Sequence, residues 1–181
     1  MSKSKATSLT ISALFTALIV VLSQISIPIQ PIPFTFSLLA IFLTGALLPP
    51  KQALLSTFTY VMLGAIGLPV FAGFRGGLGV IIGFTGGFII AYPIMAFVIA
   101  VLIKIGKNKN FIFTLVGMLL ALIICYSLGS IWYMVVAKAP FSQAFSLCVA
   151  PFILLDILKI IIASAFSMAL KKAIPKLVLQ N

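Results

Sequence analysis

The sequence predicts an all-α integral membrane protein, folded as a compact bundle of six transmembrane helices. Of its 181 residues, 63% are hydrophobic and only 7% are charged. Soluble globular domains carry about 25% charged residues, so most of this surface must face lipid. Six spans of about 20 residues with short loops would occupy the whole chain. We therefore expect a single membrane domain over residues 1–181, with no room for a soluble enzyme domain.

Apolar runs bounded by glycine, proline and charged residues place the six helices. They are predicted over residues 9–26, 35–48, 52–66, 82–104, 111–137 and 145–171. The second and third runs are short for a membrane span. They are kept as spans because Pro49, Pro50 and Lys51 form a tight turn between them, as in a helical hairpin. The short polar stretch before the first run does not have the pattern of a cleaved signal peptide.

The distribution of positive charge predicts the orientation of the bundle. The chain has twelve Lys and Arg residues, one acidic residue and no histidine, for a net charge of +11. With loops numbered alternately from an inner N-terminus, the inner cations are Lys3, Lys5, Lys51, Lys104, Lys107, Lys109, Lys171, Lys172 and Lys176, and the outer ones are Arg75 and Lys138. This bias predicts cytoplasmic N- and C-termini. The same bias accounts for the high net charge through membrane topology and contact with inner-leaflet lipid, so the charge does not indicate nucleic-acid binding.

Two outer loops are apolar and rich in proline or glycine. Loop one reads IPIQPIPF over residues 27–34, and loop three reads GLPVFAGFRGGLG over residues 67–79. Non-helical backbone at membrane depth is tolerated inside protein or around a cavity, so we predict that both loops fold back as lids over a pocket. The alternative is that they are tight connectors in the headgroup region. Glycines such as Gly73 and Gly86 permit close approach of backbone to a ligand, and their N–H groups could hold a carboxylate.

Asp156, the single acidic residue, lies in the sixth predicted helix. Lys159 follows three residues later on the same helix face. An ionisable residue inside a spanning helix is costly and marks a functional site by default. The alternative is a buried pair that satisfies itself and locks helix packing, although such a pair seldom stabilises more than apolar packing does. A proton relay would need further acids or a histidine.

The residue inventory argues against catalysis and against a metal or cofactor site. Without histidine or a second carboxylate, no catalytic triad, acid–base pair or zinc site can be assembled. Cys125 and Cys148 are isolated in apolar segments and are interpreted as small buried residues. Three classes remain open from the residues: a ligand-binding transport subunit, a structural membrane protein without a small ligand, and, least favoured, an intramembrane enzyme.

Five short motifs follow one another along the chain. They are PIPFT over residues 31–35, LGAIGLPVFAG over 63–73, GG over 76–77, TGG over 85–87 and DxxK over 156–159. In this order and spacing the chain resembles the BioY family, the biotin-specific S components of energy-coupling factor (ECF) transporters. It departs from the usual family pattern at Ser37, Phe74 and Phe84, where Gln, Gly and Pro are common.

The resemblance implies a subunit that captures biotin at the extracellular side of the cell membrane and does not hydrolyse ATP itself. Its partners would be a transmembrane coupling protein and the two cytoplasmic ATPases of the ECF module. S components dock to the coupling protein through an AxxxA motif on the first helix, which Ala13 and Ala17 match. The same spacing recurs at Ala96 and Ala100, so the motif alone is unspecific.

The resemblance also suggests how biotin would be held. Asp156 would accept hydrogen bonds from the ureido N–H groups and Lys159 would donate to the ureido oxygen. Arg75 and nearby glycine N–H groups would bind the carboxylate, while apolar side chains enclose the rings and tail. The predicted substrate-binding residues are Asp156, Lys159, Arg75, Phe34, Thr35, Phe71, Gly73, Gly86, Trp132 and Tyr133. The last two also suit an aromatic belt or helix packing.

Overall fold

The computed structural model of the protein describes residues 5–106 and 111–173, in which helices and one small two-stranded ribbon are joined by loops and turns. In chain order the elements are α1 (Lys5–Gln24), β1 (Ser26–Ile27), β2 (Phe34–Thr35), α2 (Ser37–Leu47), α3 (Pro50–Ala65), α4 (Leu78–Ile82), α5 (Gly86–Ile105), α6 (Phe111–Ala137), α7 (Phe141–Cys148) and α8 (Ile153–Ala173). Among these, α1, α5, α6 and α8 are long and apolar enough to cross a membrane. The fold is that of a multi-pass helical membrane protein. Of the predicted inner cations, Lys3, Lys107, Lys109 and Lys176 lie outside the described residues.

The two short apolar runs form α2 and α3, of 11 and 16 residues. At a rise of 1.5 Å per residue, α2 is roughly 16 Å long, about half the hydrocarbon core of a bilayer. Residues 40–47 of α2 are all buried. A helix that is apolar all round belongs inside a bundle, and α2 packs against α1, α5 and α8. The central position of α2 explains its uninterrupted apolar sequence.

Two predicted helices are shorter in the structure than in the sequence reading. The run predicted over residues 82–104 becomes α5 only at Gly86, because a turn over residues 83–85 separates it from α4. The run predicted over residues 145–171 is divided into α7 and α8. Pro151 lies in the intervening turn, where its missing N–H and its ring disfavour a continuous helix. This break places Asp156 in the first turn of α8.

Loop one contains the only strands of the described residues, which the expectation of helices alone did not include. In β1 and β2, Ser26 pairs with Thr35 and Ile27 with Phe34 in antiparallel register. The ribbon is continued by the Phe36 N–H, which donates to the Ile25 carbonyl at 3.1 Å. Loop one is therefore a hairpin.

Side-chain contacts fix which loops share an end of the bundle. Gln24, the last residue of α1, donates to the Val70 carbonyl in loop three at 3.0 Å. Gln52, next to Lys51 in the first turn of α3, donates to the Ser8 hydroxyl near the start of α1. Loops one and three therefore lie at one end, here called the loop end, and Lys51 lies at the other.

Candidate functional site

Asp156 and Lys159 form a buried ion pair at the loop end. Their residues are 2% and 4% exposed, and Lys159 Nζ lies 2.7 Å from Asp156 Oδ1. The Tyr126 hydroxyl donates to Asp156 Oδ2 at 2.7 Å, and Lys159 Nζ donates to the Thr35 carbonyl at 2.7 Å. Burial of an unpaired charge is very costly, and these contacts give both buried charges partners that stabilise them. The position of Asp156 in the first turn of α8 adds favourable interaction with the helix dipole.

Loop one covers the ion pair. The Phe34 ring centroid lies 3.8 Å from Lys159 Nζ, within the range of a cation–π contact. The same ring stacks on Phe152, with centroids 6.4 Å apart and planes 10° apart. Together with the Thr35 carbonyl, these contacts attach loop one to α8. Phe34 and Thr35 were predicted as site residues, and the structure places both against Lys159.

Two adjoining cavities flank loop one. Cavity one has an empty volume of about 570 Å³ with its open mouth included, and cavity two about 380 Å³. The residues that line both are Ile32, Pro33, Thr35, Phe88 and Tyr92. The ion pair lines cavity two, whereas Arg75 lines cavity one. The predicted charged residues therefore lie on either side of loop one.

Loop three presents Arg75 to cavity one. The Phe71 N–H donates to the Arg75 carbonyl at 2.9 Å, and the Arg75 N–H donates back to the Phe71 carbonyl at 3.3 Å. Between them Gly73 has a φ of +70°, which glycine adopts without steric penalty. Phe71 is 2% exposed and lines cavity one beside Tyr60. Phe71 thus holds the base of this turn in the bundle, and Gly73 shapes its tip.

Gly86, Trp132 and Tyr133 support the turn before α5. The Trp132 indole N–H donates to the Gly83 carbonyl at 3.0 Å. A Cβ on Gly86 would lie 1.6 Å from the Ile81 carbonyl oxygen and 3.0 Å from Trp132 Nε1. The ring of Tyr133, a buried residue, lies 5.5 Å from that of Phe84. The structure places these three predicted site residues beside the turn, while the linings of the two cavities are formed by other side chains.

Gly86→Ala is expected to destabilise the protein by about 1–3 kcal/mol, because the new methyl group would overlap a backbone carbonyl that cannot rotate away. Gly79→Ala in α4 is the matched control, since a Cβ there has no neighbour within 4 Å. Thermal unfolding of both variants in detergent measures the difference. Equal midpoints for the two would contradict this account of the turn.

Two tyrosines that line the cavities, Tyr92 and Tyr126, were not among the predicted site residues. Tyr126 binds Asp156 and lines cavity two, and the Tyr92 hydroxyl lies 3.1 Å from Ser37 Oγ, which is also within reach of the Thr35 hydroxyl. A tyrosine within an apolar spanning segment is itself a signal, because its hydroxyl needs a partner when buried. Ser37 had been noted in the sequence only as a position where the family commonly has Gln.

Ala13 and Ala17 lie on an exposed face of α1. The opposite face of the helix packs inward, where the Thr16 hydroxyl donates to the Ser56 carbonyl of α3 at 3.0 Å. Leu14, Leu18 and the Ala17 methyl group line a shallow apolar groove on the exposed face. This face is available for helix–helix contact.

Comparisons with known proteins place the chain among vitamin transporters. A model of the BioY family matches residues 1–176. A biotin transporter BioY from Thermotoga maritima is 39% identical over 161 residues, covering 89% of this chain and 94% of the relative. The biotin transporter BioY2 from Lactococcus lactis is 36% identical over 177 residues, covering 96% and 95%. A crystal structure of the S-component for biotin from an ECF-type ABC transporter superposes with a TM-score of 0.87 and 32% identity, covering 95% of this chain and 94% of that one.

Proposed function

This chain belongs to the BioY family, and from that premise we propose that it is an S component that captures biotin at the loop end for uptake by an ECF-type importer. Relatives that match nearly its whole length are named as biotin transporters, and the superposed structure is a biotin S component. The family consists of transporter subunits, so its function is binding and transport and not catalysis.

The proposal rests on the arrangement of charges around two cavities. The buried ion pair lines cavity two, and the Arg75 guanidinium belongs to a residue that lines the adjoining cavity one. The ureido ring of biotin presents N–H donors and a carbonyl acceptor, and its carboxylate is at the far end of a flexible tail. Asp156 and Lys159 in cavity two match the ureido group. Arg75 in cavity one matches the carboxylate, since guanidinium pairs well with carboxylates.

The ion pair retains hydrogen-bonding capacity for a ligand. An ammonium has three N–H donors, and two of those on Lys159 are directed at Asp156 and at the Thr35 carbonyl. A carboxylate offers about four acceptor sites, and two of those on Asp156 are used by Lys159 and Tyr126. One donor and two acceptor sites thus match one ureido oxygen and two ureido N–H groups.

Loop one covers the proposed binding site of the ureido group. The Phe34 ring and the Thr35 carbonyl contact Lys159 on the side of the loop. Entry of the ureido ring into cavity two requires the loop to shift, because Pro33 and Thr35 line both cavities and stand between them. We therefore assign loop one as the lid over the ureido end and loop three as the lid over the tail.

The energy for uptake would come from a transmembrane coupling protein and two cytoplasmic ATPases. The sequence has no phosphate-binding GxxxxGK[ST] motif, so ATP must be hydrolysed elsewhere. The exposed face of α1 with Ala13 and Ala17 is the proposed docking surface for the coupling protein, since small residues let membrane helices approach closely.

Purification tests the proposal as a whole. We expect the chain, solubilised from cells grown with biotin and washed in detergent, to retain biotin that mass spectrometry identifies at up to one equivalent. A vitamin of another class retained in its place would overturn the assignment.

Cytoplasmic N- and C-termini are expected from the charge distribution. With Cys125 and Cys148 replaced by alanine, a membrane-impermeant maleimide applied to intact cells should label Lys138→Cys and leave Lys51→Cys unlabelled. Both positions are exposed, so they form a matched pair. Labelling of Lys51→Cys alone would reverse the orientation, and labelling of both would overturn the six-span topology.

Arg75→Ala is expected to weaken biotin binding by about 2- to 5-fold, since the side chain is exposed and such charge pairs are worth at most about 1 kcal/mol. A biotin amide without the free carboxylate provides the control. It should bind wild type and Arg75→Ala equally, because the lost interaction is absent in both cases. If Arg75→Ala weakens the amide as much as biotin, then Arg75 does not contact the carboxylate.

A further inference from the structure

Gln24, the last residue of α1, reaches across to loop three. We infer that Gln24 is a positioning residue that holds the tip of loop three, and Arg75 with it, closed over cavity one. The ligand-related part of this inference rests on the proposed function. The part that concerns loop closure rests on contacts within this chain alone.

The Gln24 side chain bonds to loop three with both ends of its amide. Its Nε2 donates to the Val70 carbonyl at 3.0 Å, and its Oε1 accepts from the Phe74 N–H at 2.9 Å. The same Nε2 lies 3.3 Å from the Val20 carbonyl of its own helix. A single side chain therefore bridges α1 to both limbs of the turn that pairs Phe71 with Arg75.

The tip of loop three depends on this clamp more than on packing. Phe74 is 72% exposed, so its ring buries little apolar surface. Its φ is +56°, a conformation that is strained for a residue with a side chain and that persists only where the surroundings impose it. Gln24 binds the N–H of this same residue. Arg75 follows directly, so the backbone of Phe74 sets where Arg75 stands.

The base of loop three has a separate anchor. The Phe71 ring packs edge-on against Tyr60, with centroids 5.5 Å apart, and a Cβ on Gly64 would lie 2.0 Å from the Phe71 Cζ atom. The Tyr60 hydroxyl is in turn 2.9 Å from Ser23 Oγ. Because this apolar socket does not involve Gln24, loss of the clamp should release the tip while the loop stays attached and the bundle stays folded.

The test uses Gln24→Met, which keeps the length of the side chain and removes its amide. The control is Gln143→Met on α7, where the glutamine is exposed. Both are made with Ala72→Cys, a half-buried position of loop three itself that lines cavity one. Maleimide labelling of the ligand-free protein is resolved by mass, and buried Cys125 serves as an internal reference for unfolding.

We expect Gln24→Met to raise the labelling rate at position 72 by about 10-fold, as two lost hydrogen bonds shift the equilibrium towards an open tip. Gln143→Met should leave the rate unchanged. Equal rates in the two variants would overturn the inference. So would an equal rise at Cys125, since that would indicate general loosening of the bundle.

The rate of biotin release tests whether the Gln24 clamp also helps to retain the ligand. Gln24→Met should release biotin about 10-fold faster, and its preference for biotin over the biotin amide should shrink, because Arg75 is no longer held at the carboxylate. Faster labelling with unchanged biotin release would overturn the role of the clamp in ligand retention. If wild type itself binds no biotin, the proposed function fails, while the labelling result still decides the role of Gln24 in loop closure.

Discussion

Asp156→Asn is expected to weaken biotin binding by about 30- to 4,000-fold. Removing one member of a desolvated charged pair typically costs about 2–5 kcal/mol, because the other charge is left buried without its partner. Here Lys159, 4% exposed, would lose its counterion. Asparagine keeps the shape of the side chain but replaces an acceptor with a donor where a ureido N–H should bind. Calorimetric titration of detergent-purified variants measures the affinity.

Two further variants separate a binding role from a packing role. Tyr126→Phe removes one hydrogen bond to Asp156 and should weaken biotin by about 5-fold. Asp156→Leu combined with Lys159→Met removes both buried charges, so it should fold at least as well as either single variant and still fail to bind biotin. If Asp156→Asn lowers only the unfolding temperature and binds biotin like wild type, the pair is structural and the site assignment is wrong.

Ala13→Leu combined with Ala17→Leu is expected to reduce biotin uptake in cells to background and to leave biotin binding by the purified chain unchanged. Both alanines are exposed on α1, so leucine there should not disturb the core. It would prevent the close backbone approach that small residues allow between membrane helices. Transport of labelled biotin and co-purification with the coupling protein are the measurements.

The chain offers a matched control on α8. Ala165 and Ala169 have the same spacing and are also exposed, so their replacement by leucine adds equal bulk at another face. We expect normal uptake in this control. Normal assembly of the α1 variant with the coupling protein would contradict the proposed docking surface, and loss of uptake in the α8 variant alone would move that surface to α8.

Much of the fold follows from local properties of the chain. Long apolar runs determine α1, α5, α6 and α8, because in lipid an uninterrupted apolar segment can satisfy its backbone as a helix. The three-residue spacing of Asp156 and Lys159 predicted that they share one helix face, and their side chains are 2.7 Å apart in the structure. The placement of Phe34 and Thr35 at the same site was expected only from the family motifs. Local sequence properties could not have predicted it, because 124 positions separate Thr35 from Lys159.

Other features depend on contacts between distant segments, which periodicity does not reveal. The ribbon in loop one is only two residues per strand, too short for an alternating pattern to show. Trp132 was expected at the pocket as an aromatic wall, yet its indole is bonded to the Gly83 carbonyl. Tyr126 was overlooked because one hydroxyl in an apolar helix reveals its partner only when α6 and α8 are packed together.

A structure of the chain with bound biotin tests the central claim most directly. It should show the ureido oxygen within hydrogen-bonding distance of Lys159 Nζ and at least one ureido N–H donating to Asp156, with loop one displaced from between the two cavities. The carboxylate should lie on the side of Arg75, under loop three. A carboxylate bound at Lys159, or biotin enclosed entirely in cavity one with the contact between Lys159 and the Thr35 carbonyl intact, would contradict it.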